Sequence, residues 1–332
     1  MLKKFCEFEN PDELLKNILI GNGFSTWFSD RFRYSALLDE CTGLDHTDKV
    51  LFERLETSNF EACLNALNSA RNVNDLYGIQ DSHDTSYNRI KNSLIEVIRK
   101  VHIDHSEVNG HKFEMAKSLF KKSTNIFTTN YDLLSYWTIL KINDELDDGF
   151  GDLFYRSEQI RDLHFSEEFK EKREKWIFFL HGALHIYEKS GSVRKMSSSQ
   201  SRNLLNALEY NIDQGSPPLF VSEGDWRLKH RQIASNPYLR FCMKSLNKLS
   251  GSLTIFGHGL DPSADKHIVN TICDSDVERV IYGMYCVNKG RRDIEAEMAR
   301  IRRDFKDKEV EFFDSNSLFE YTYDPEFANA DL

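Results

Sequence analysis

Three residues of this 332-residue chain are best equipped for chemistry, and each stands at a turn. His181 precedes Gly182, while Asn130 and Asp132 lie two apart in Thr128-Thr129-Asn130-Tyr131-Asp132. Two glycine turns accompany them, Gly21-Asn22-Gly23-Phe24-Ser25 and Gly257-His258-Gly259-Leu260. Imidazole accepts a proton near neutral pH, so His181 could draw on a hydroxyl while a neighbouring bond breaks. Asn130 can donate and accept at once. Glycines let a backbone approach a pyrophosphate, with amide groups presented at a helix start. Each residue also has a plain structural alternative. Ser25 and Asp132 can cap helices, a lone histidine such as His181 is usually a satisfied core residue, and GNGFS can be an empty strand-to-helix turn. The third glycine of the dinucleotide fingerprint is absent, because Phe24-Ser25-Thr26 follow Gly23.

Each motif directly follows an apolar, β-prone run: Ile18-Leu19-Ile20, Asn125-Ile126-Phe127, Trp176 to Leu180, and Leu253-Thr254-Ile255-Phe256. Turns after parallel strands lie where open α/β sheets bind nucleotides. The expected fold is therefore α/β, one domain over residues 1–332 built on a Rossmann-like parallel sheet. Residues 31–122 read as a large helical insertion after the first strand, with Leu94, Ile98 and Val101 at i, i+4, i+7 and Leu51 four before Leu55. Its most loop-like point is Asp81 to Ser86. Being large and outside the motif set, it is the suspected assembly surface. Residues 183–250 read as a smaller hairpin and helical insertion after His181. The hairpin runs from Leu184 to Tyr187, turns at Lys-Ser-Gly-Ser and resumes at Val193, before a mobile Ser197 to Ser201. Ile294, Met298, Ile301 and Phe305 mark a late helix, and Val310 to Phe313 a closing strand.

Composition narrows the function classes. Lys and Arg number 43 against 53 Asp and Glu, a net charge of −10. That balance disfavours a protein whose main task is neutralising duplex phosphates, and Arg291-Arg292 and Arg302-Arg303 read as solvated helix faces. Six scattered cysteines without a C-x-x-C pair read as reduced thiols. With no signal peptide and no run of about 20 apolar residues, a soluble cytoplasmic protein is expected. His102-x-x-His105 with His111 lies in a polar loop with no paired histidine on one helix face, so no metal site is expected. P-loop, H-E-x-x-H and G-x-S-x-G motifs are absent.

Taken in order, GNGFS, TTNYD, HG and GHG resemble the sirtuin family, and more closely its bacterial sirtuin-like relatives that break down NAD. Sirtuins carry Gly-Ala-Gly-x-Ser, Thr-Gln-Asn-Ile-Asp, His-Gly and Gly-Thr-Ser in the same sequence. The resemblance implies NAD+ as substrate and an NAD+ glycohydrolase. In that reading His181 is catalytic, Asn130 contacts the nicotinamide ribose and positions water, and Asp132 sits near the nicotinamide carboxamide or caps the next helix. Gly21, Asn22, Gly23, Phe24, Ser25, Thr129, Gly257, His258 and Gly259 would hold the dinucleotide. His258 stands where sirtuins have threonine, which leaves its role open, and His267 reads as structural. The two C-x-x-C pairs of the sirtuin zinc ribbon are missing, which puts an acyl-lysine groove in doubt and makes water the expected acceptor. The resemblance further implies an antiphage effector, a homo-oligomer, and a partner protein such as a helicase-type ATPase, with neither membrane nor nucleic acid bound directly. A deacylase, an ADP-ribosyltransferase, a non-catalytic NAD- or ADP-ribose-binding subunit and a structural or nuclease subunit are the alternatives.

Overall fold

The computed structural model describes residues 2–79, 83–102, 110–146, 148–156, 163–168, 173–196, 204, 207–208, 211, 216, 218–221, 225–287 and 289–322. Among these, the strands are β1 (Asn17–Ile20), β2 (Asn125–Thr128), β3 (Phe150–Gly151), β4 (Phe154–Tyr155), β5 (Leu163–Phe165), β6 (Lys175–Phe179), β7 (Gly182–Lys189), β8 (Ser192–Lys195), β9 (Pro218–Phe220), β10 (Ser250–Phe256), β11 (Asp276–Met284) and β12 (Glu309–Asp314). Seven of them form a sheet ordered β12-β11-β10-β1-β2-β6-β3, and every pair in it is parallel. This is a Rossmann-like α/β arrangement. Parallel strands are covered on both faces, which explains why Ile18, Leu19 and Ile20 are all buried instead of alternating.

Register decides where the motifs meet. Ile20 lies opposite Phe256 on one side and Thr128 on the other, and Thr128 lies opposite Phe179. The strands leading into GNGFS, GHG, TTNYD and HG thus end at one level along the same edge of the sheet. The chain steps from β1 to β2 in one direction, while β10 flanks β1 on the other side. That reversal is the switch point at which open sheets leave a crevice.

Between β1 and β2 the chain is helical: Asn22–Phe28, Tyr34–Glu40, His46–Arg54, Phe60–Tyr77, His83–Val101 and His111–Lys122. The two longest of these helices pack on each other, and Leu64 of one and Ile90, Leu94 and Ile98 of the other are buried. The Arg89 guanidinium grips the buried Asp48 carboxylate from Nε and Nη2 and also pairs with Asp45 at 2.7 Å. Of the loop expected at Asp81 to Ser86, residues 83–86 are already helical, and 81–82 lie outside the described residues. His102 accepts a hydrogen bond at Nε2 from Leu133 N (2.8 Å) and packs edge-on to Trp137, so it ties the start of helix Leu134–Glu145. His105 lies outside the described residues.

A second, antiparallel sheet is ordered β4-β5-β8-β7-β9. Its β7–β8 hairpin turns through Ser190 and Gly191, both at positive φ (52° and 75°), as a two-residue hairpin requires. Strands β3, β4 and β5, of two or three residues each, carry too little alternation to be read from sequence. β3 is the edge of the parallel sheet, whereas β4 and β5 place part of the antiparallel sheet before His181 in the chain as well as after it. Ser197 to Ser201 lie outside the described residues. Beyond the sheet, helix Trp226–Ser235 passes to helix Pro237–Asn247 through Asn236, whose side chain accepts from Leu239 N at 3.0 Å. No helix among the described residues is long and apolar enough to cross a membrane.

Candidate functional site

Ser25 lies in the short helix Asn22–Phe28 that opens after β1, and its side chain is wholly buried. Its hydroxyl donates to Asp132 Oδ2 and lies 2.9 Å from Asn130 Nδ2. A carboxylate only accepts, so the single Ser25 proton is committed to Asp132. Toward Asn130 the same oxygen must accept, which requires the amide nitrogen of Asn130 to face it. The carboxamide orientation follows from that network, leaving Oδ1 as the atom of Asn130 that the Ser25 contact does not use. Asn130 Oδ1 is buried and has no hydrogen-bond partner among the described residues. Asp132 Oδ1 accepts from Leu134 N (2.9 Å), so this carboxylate holds the turn into helix Leu134–Glu145 while also receiving the Ser25 proton. Asp132 thus holds the helix start, one of its two expected roles, and in addition anchors Ser25.

The two glycine turns interlock. Gly21 N donates to Phe256 O (3.0 Å) and Gly23 N to Gly257 O (2.8 Å). Gly257 has φ +63°, and a Cβ there would fall 2.7 Å from Gly23 Cα and 2.8 Å from Phe24 N. Close approach of one turn to the other, instead of to a ligand, accounts for these glycines. Gly259 differs, since a Cβ at that position would meet nothing within 4 Å. Its own carbonyl is held by Arg300 Nη2 at 2.7 Å, and Leu260 O accepts from Arg300 Nη1 at 2.8 Å. Tyr282 Oη donates to His258 O (2.8 Å), and His258 Nδ1 accepts from Leu260 N (3.1 Å). His258 thus braces the loop that carries it.

His181 leaves β6 at the residue before β7 and is locked by its main chain: Val221 N donates to His181 O at 2.8 Å. Gly182 sits at φ +80°, where a Cβ would strike Leu219 O at 2.0 Å, so the β7–β9 contact demands glycine. The His181 side chain is buried and its Nε2 lies 2.9 Å from Nε2 of His267, the two rings at 26° to one another. Burial, the Lys229 ammonium and the other two histidines hold His181 well below the usual imidazole range. Burial and Lys229 push His267 down to about 3. Lys229 is itself buried, with Nζ 3.8 Å from Asp265 Oδ1.

These groups open onto a cleft of about 420 Å³ beyond the strand ends, a size suited to a small organic ligand. Asn22, Thr129, Asn130, Asp132, His181, Gly257, His258 and Gly259 line it. A second cleft, also of about 420 Å³, lies across the Gly257–Gly259 turn and is lined by Gly23, Trp27, Tyr282, Tyr285, Lys289 and Asn316 among others. Gly21 and Ser25 stand behind this surface. Phe24 does not reach either cleft: it is fully buried among Trp27, Phe28, Phe120 and Phe319. Phe24 is the third residue of helix Asn22–Phe28, and its ring turns to the apolar side, which corrects its expected place against the ligand.

The first cleft also contains residues that no motif announced. Phe32, Tyr34, Leu37, Leu94 and Ile98 come from the helices between β1 and β2, and Lys229 from helix Trp226–Ser235. A lysine in a polar helical segment carries no mark of burial in sequence, and only the packing of that helix against His267 reveals it. Among the described residues, no group of three or more His, Cys, Asp or Glu is placed to hold a metal ion.

The chain belongs to the family described as a domain of unknown function (DUF4917), which matches residues 18–319 and so takes in every motif above. No curated protein matches it.

Proposed function

We propose that this member of the family is an NAD+ glycohydrolase, converting NAD+ and water to ADP-ribose, nicotinamide and a proton. The observation that carries the reading is Asn130 Oδ1, a buried acceptor without a partner among the described residues, on a residue that lines one cleft with His181 at the switch point of a parallel sheet. Such an atom stays unsatisfied at a cost of about 1–3 kcal/mol unless a ligand or water meets it. A carboxamide oxygen oriented by a fixed network can hold an attacking water or a ribose hydroxyl. It can also turn partial negative charge toward a ring oxygen and anomeric carbon that become positive as nicotinamide leaves.

In this reading the nicotinamide riboside half occupies the Asn130–His181 cleft. The pyrophosphate crosses at Gly259, whose open Cβ position leaves room for it, and the adenosine half enters the cleft beside Trp27 and Tyr285. Nicotinamide departs as a neutral molecule, so no strong acid is needed for the leaving group. A neutral His181 suits this reaction: it orients hydroxyls without adding positive charge beside the developing cation. The roles suggested by the sirtuin resemblance in antiphage defence, with oligomer and partner protein, belong to the same proposal.

The test is to incubate purified protein with NAD+ and separate the products, alongside Asn130→Ala and His181→Ala. Nicotinamide and ADP-ribose from the wild type, lost in both variants, is the expected result. Labelled protein or acyl-ADP-ribose in their place would move the assignment to a transferase or deacylase. Absence of both turnover and NAD+ binding would end the proposal.

A further inference from the structure

His267 carries no role in the reading above, yet it is the one side chain that hydrogen-bonds the His181 ring among the described residues. Resting on the hydrolase reading, we infer that His267 is a positioning residue: it donates from Nε2 to Nε2 of His181 and fixes His181 as the Nδ1–H tautomer.

Two neutral imidazoles whose Nε2 atoms lie 2.9 Å apart must share one proton, so one donates and the other accepts. The other nitrogen of each ring decides the direction. His267 Nδ1 is buried and has no partner among the described residues. If His267 accepted at Nε2, its own proton would sit on Nδ1 as an orphaned N–H, the rarer and costlier kind of buried group. If His267 donates, Nδ1 is left as a bare lone pair. His181 then carries its proton on Nδ1, the nitrogen still available to the cleft that His181 lines. Both rings stay neutral because burial and Lys229 oppose a second proton on either.

The consequence is a matched pair of contacts. His181 Nδ1 offers a donor and Asn130 Oδ1 an acceptor in the same cleft. A hydroxyl accepts the first and donates to the second, and the vicinal hydroxyls of a ribose present this chemistry twice. His181 therefore orients the ribose by donating to it and does not withdraw its proton.

The experiment uses the full-length protein labelled with 15N-histidine, with His181 signals assigned by their loss in His181→Ala. Long-range proton–nitrogen spectra should show a protonated Nδ1 and an unprotonated Nε2 on His181. In His267→Phe the two His181 nitrogens should move toward a tautomeric average, and kcat for NAD+ cleavage should fall about 10²-fold with KM held. His267→Gln, whose amide can donate from near the Nε2 position, should regain both the tautomer and most of kcat. His267→Asn, which mimics the other ring nitrogen, should not. A protonated Nε2 on His181 in the wild type overturns the inference, as does a His267→Phe protein with unchanged tautomer and unchanged kcat. A wild-type protein with the expected tautomer that leaves NAD+ intact overturns the hydrolase reading while the His267 contact stands.

Discussion

Asn130 donates from Nδ2 to Ser25 Oγ over 2.9 Å, and this contact decides which way the Asn130 carboxamide faces. Its force comes from Asp132, which takes the only proton Ser25 has. Ser25→Ala should free the carboxamide to turn and leave Asp132 short of a donor inside the protein. We expect a stability loss of about 1–3 kcal/mol and a fall in NAD+ cleavage of at least about tenfold. Urea unfolding and product assay on the same preparation check the two effects. An intact rate in Ser25→Ala would mean that the orientation of Asn130 is set elsewhere.

The two glycines of the GHG turn should separate structure from ligand contact. Gly257→Ala forces a Cβ onto Gly23 and strains a positive φ, so its main effect should be a lower Tm. Gly259→Ala meets open space within the protein and should leave Tm near wild type while weakening NAD+ binding. Thermal melts with and without NAD+ distinguish the pair, and equal behaviour of the two variants would remove Gly259 from the pyrophosphate path.

Acid should destabilise the protein through His185. Its ring is fully buried, stacked at 4.0 Å on Tyr136 and edge-on to Phe179, and neither ring nitrogen has a hydrogen-bond partner among the described residues. Burial first, then the Lys195 ammonium, depresses its folded-state pKa well below that of a free imidazole. The unfolded chain therefore takes up a proton that the folded one refuses, beginning near the ordinary value of about 6.5. Stability from this group is complete above that pH and lost as pH falls below it, at up to about 1.4 kcal/mol per unit. His185→Phe should flatten the stability profile between about pH 6.5 and 5 by roughly one proton, as read from urea midpoints. A wild-type profile level across that window would contradict it.

The catalytic rate should be insensitive to pH where histidines usually titrate. His181 is held far below its ordinary pKa and His267 at about 3, so neither changes charge between neutral pH and mild acid. Single-turnover rates should be flat from about pH 8 to pH 6. A limb with a midpoint near 6.5 that vanishes in His181→Gln would show instead that His181 works as a titrating base.

The strands carrying the motifs were legible because a parallel strand covered on both faces leaves a short, continuous apolar run. Ile18 to Ile20, Ile126 to Phe127 and Leu253 to Phe256 are such runs, and glycine or polar turns end each of them. The helical periodicity of residues 31–122 was legible for the same kind of reason, in the four-residue spacing of Leu94 and Ile98. β3, β4 and β5 were not, since two or three residues hold no period, and their pairing partners are distant in the chain, as Leu163 opposite Lys195 and Phe150 opposite Lys175.

Residue types and spacing therefore determined the α/β class, the strand that precedes each motif, and the presence of Asn130, Asp132, His181 and the glycine turns. Tertiary structure decided what each does. It turned Phe24 into the core, spent Asp132 on Ser25 and the helix start, made Gly23 and Gly257 partners of each other, and brought Lys229 and His267 to His181. A sequence specifies which donors and acceptors exist, whereas which of them remain for a ligand depends on every neighbour that has already taken its share, and those neighbours are distant in the chain.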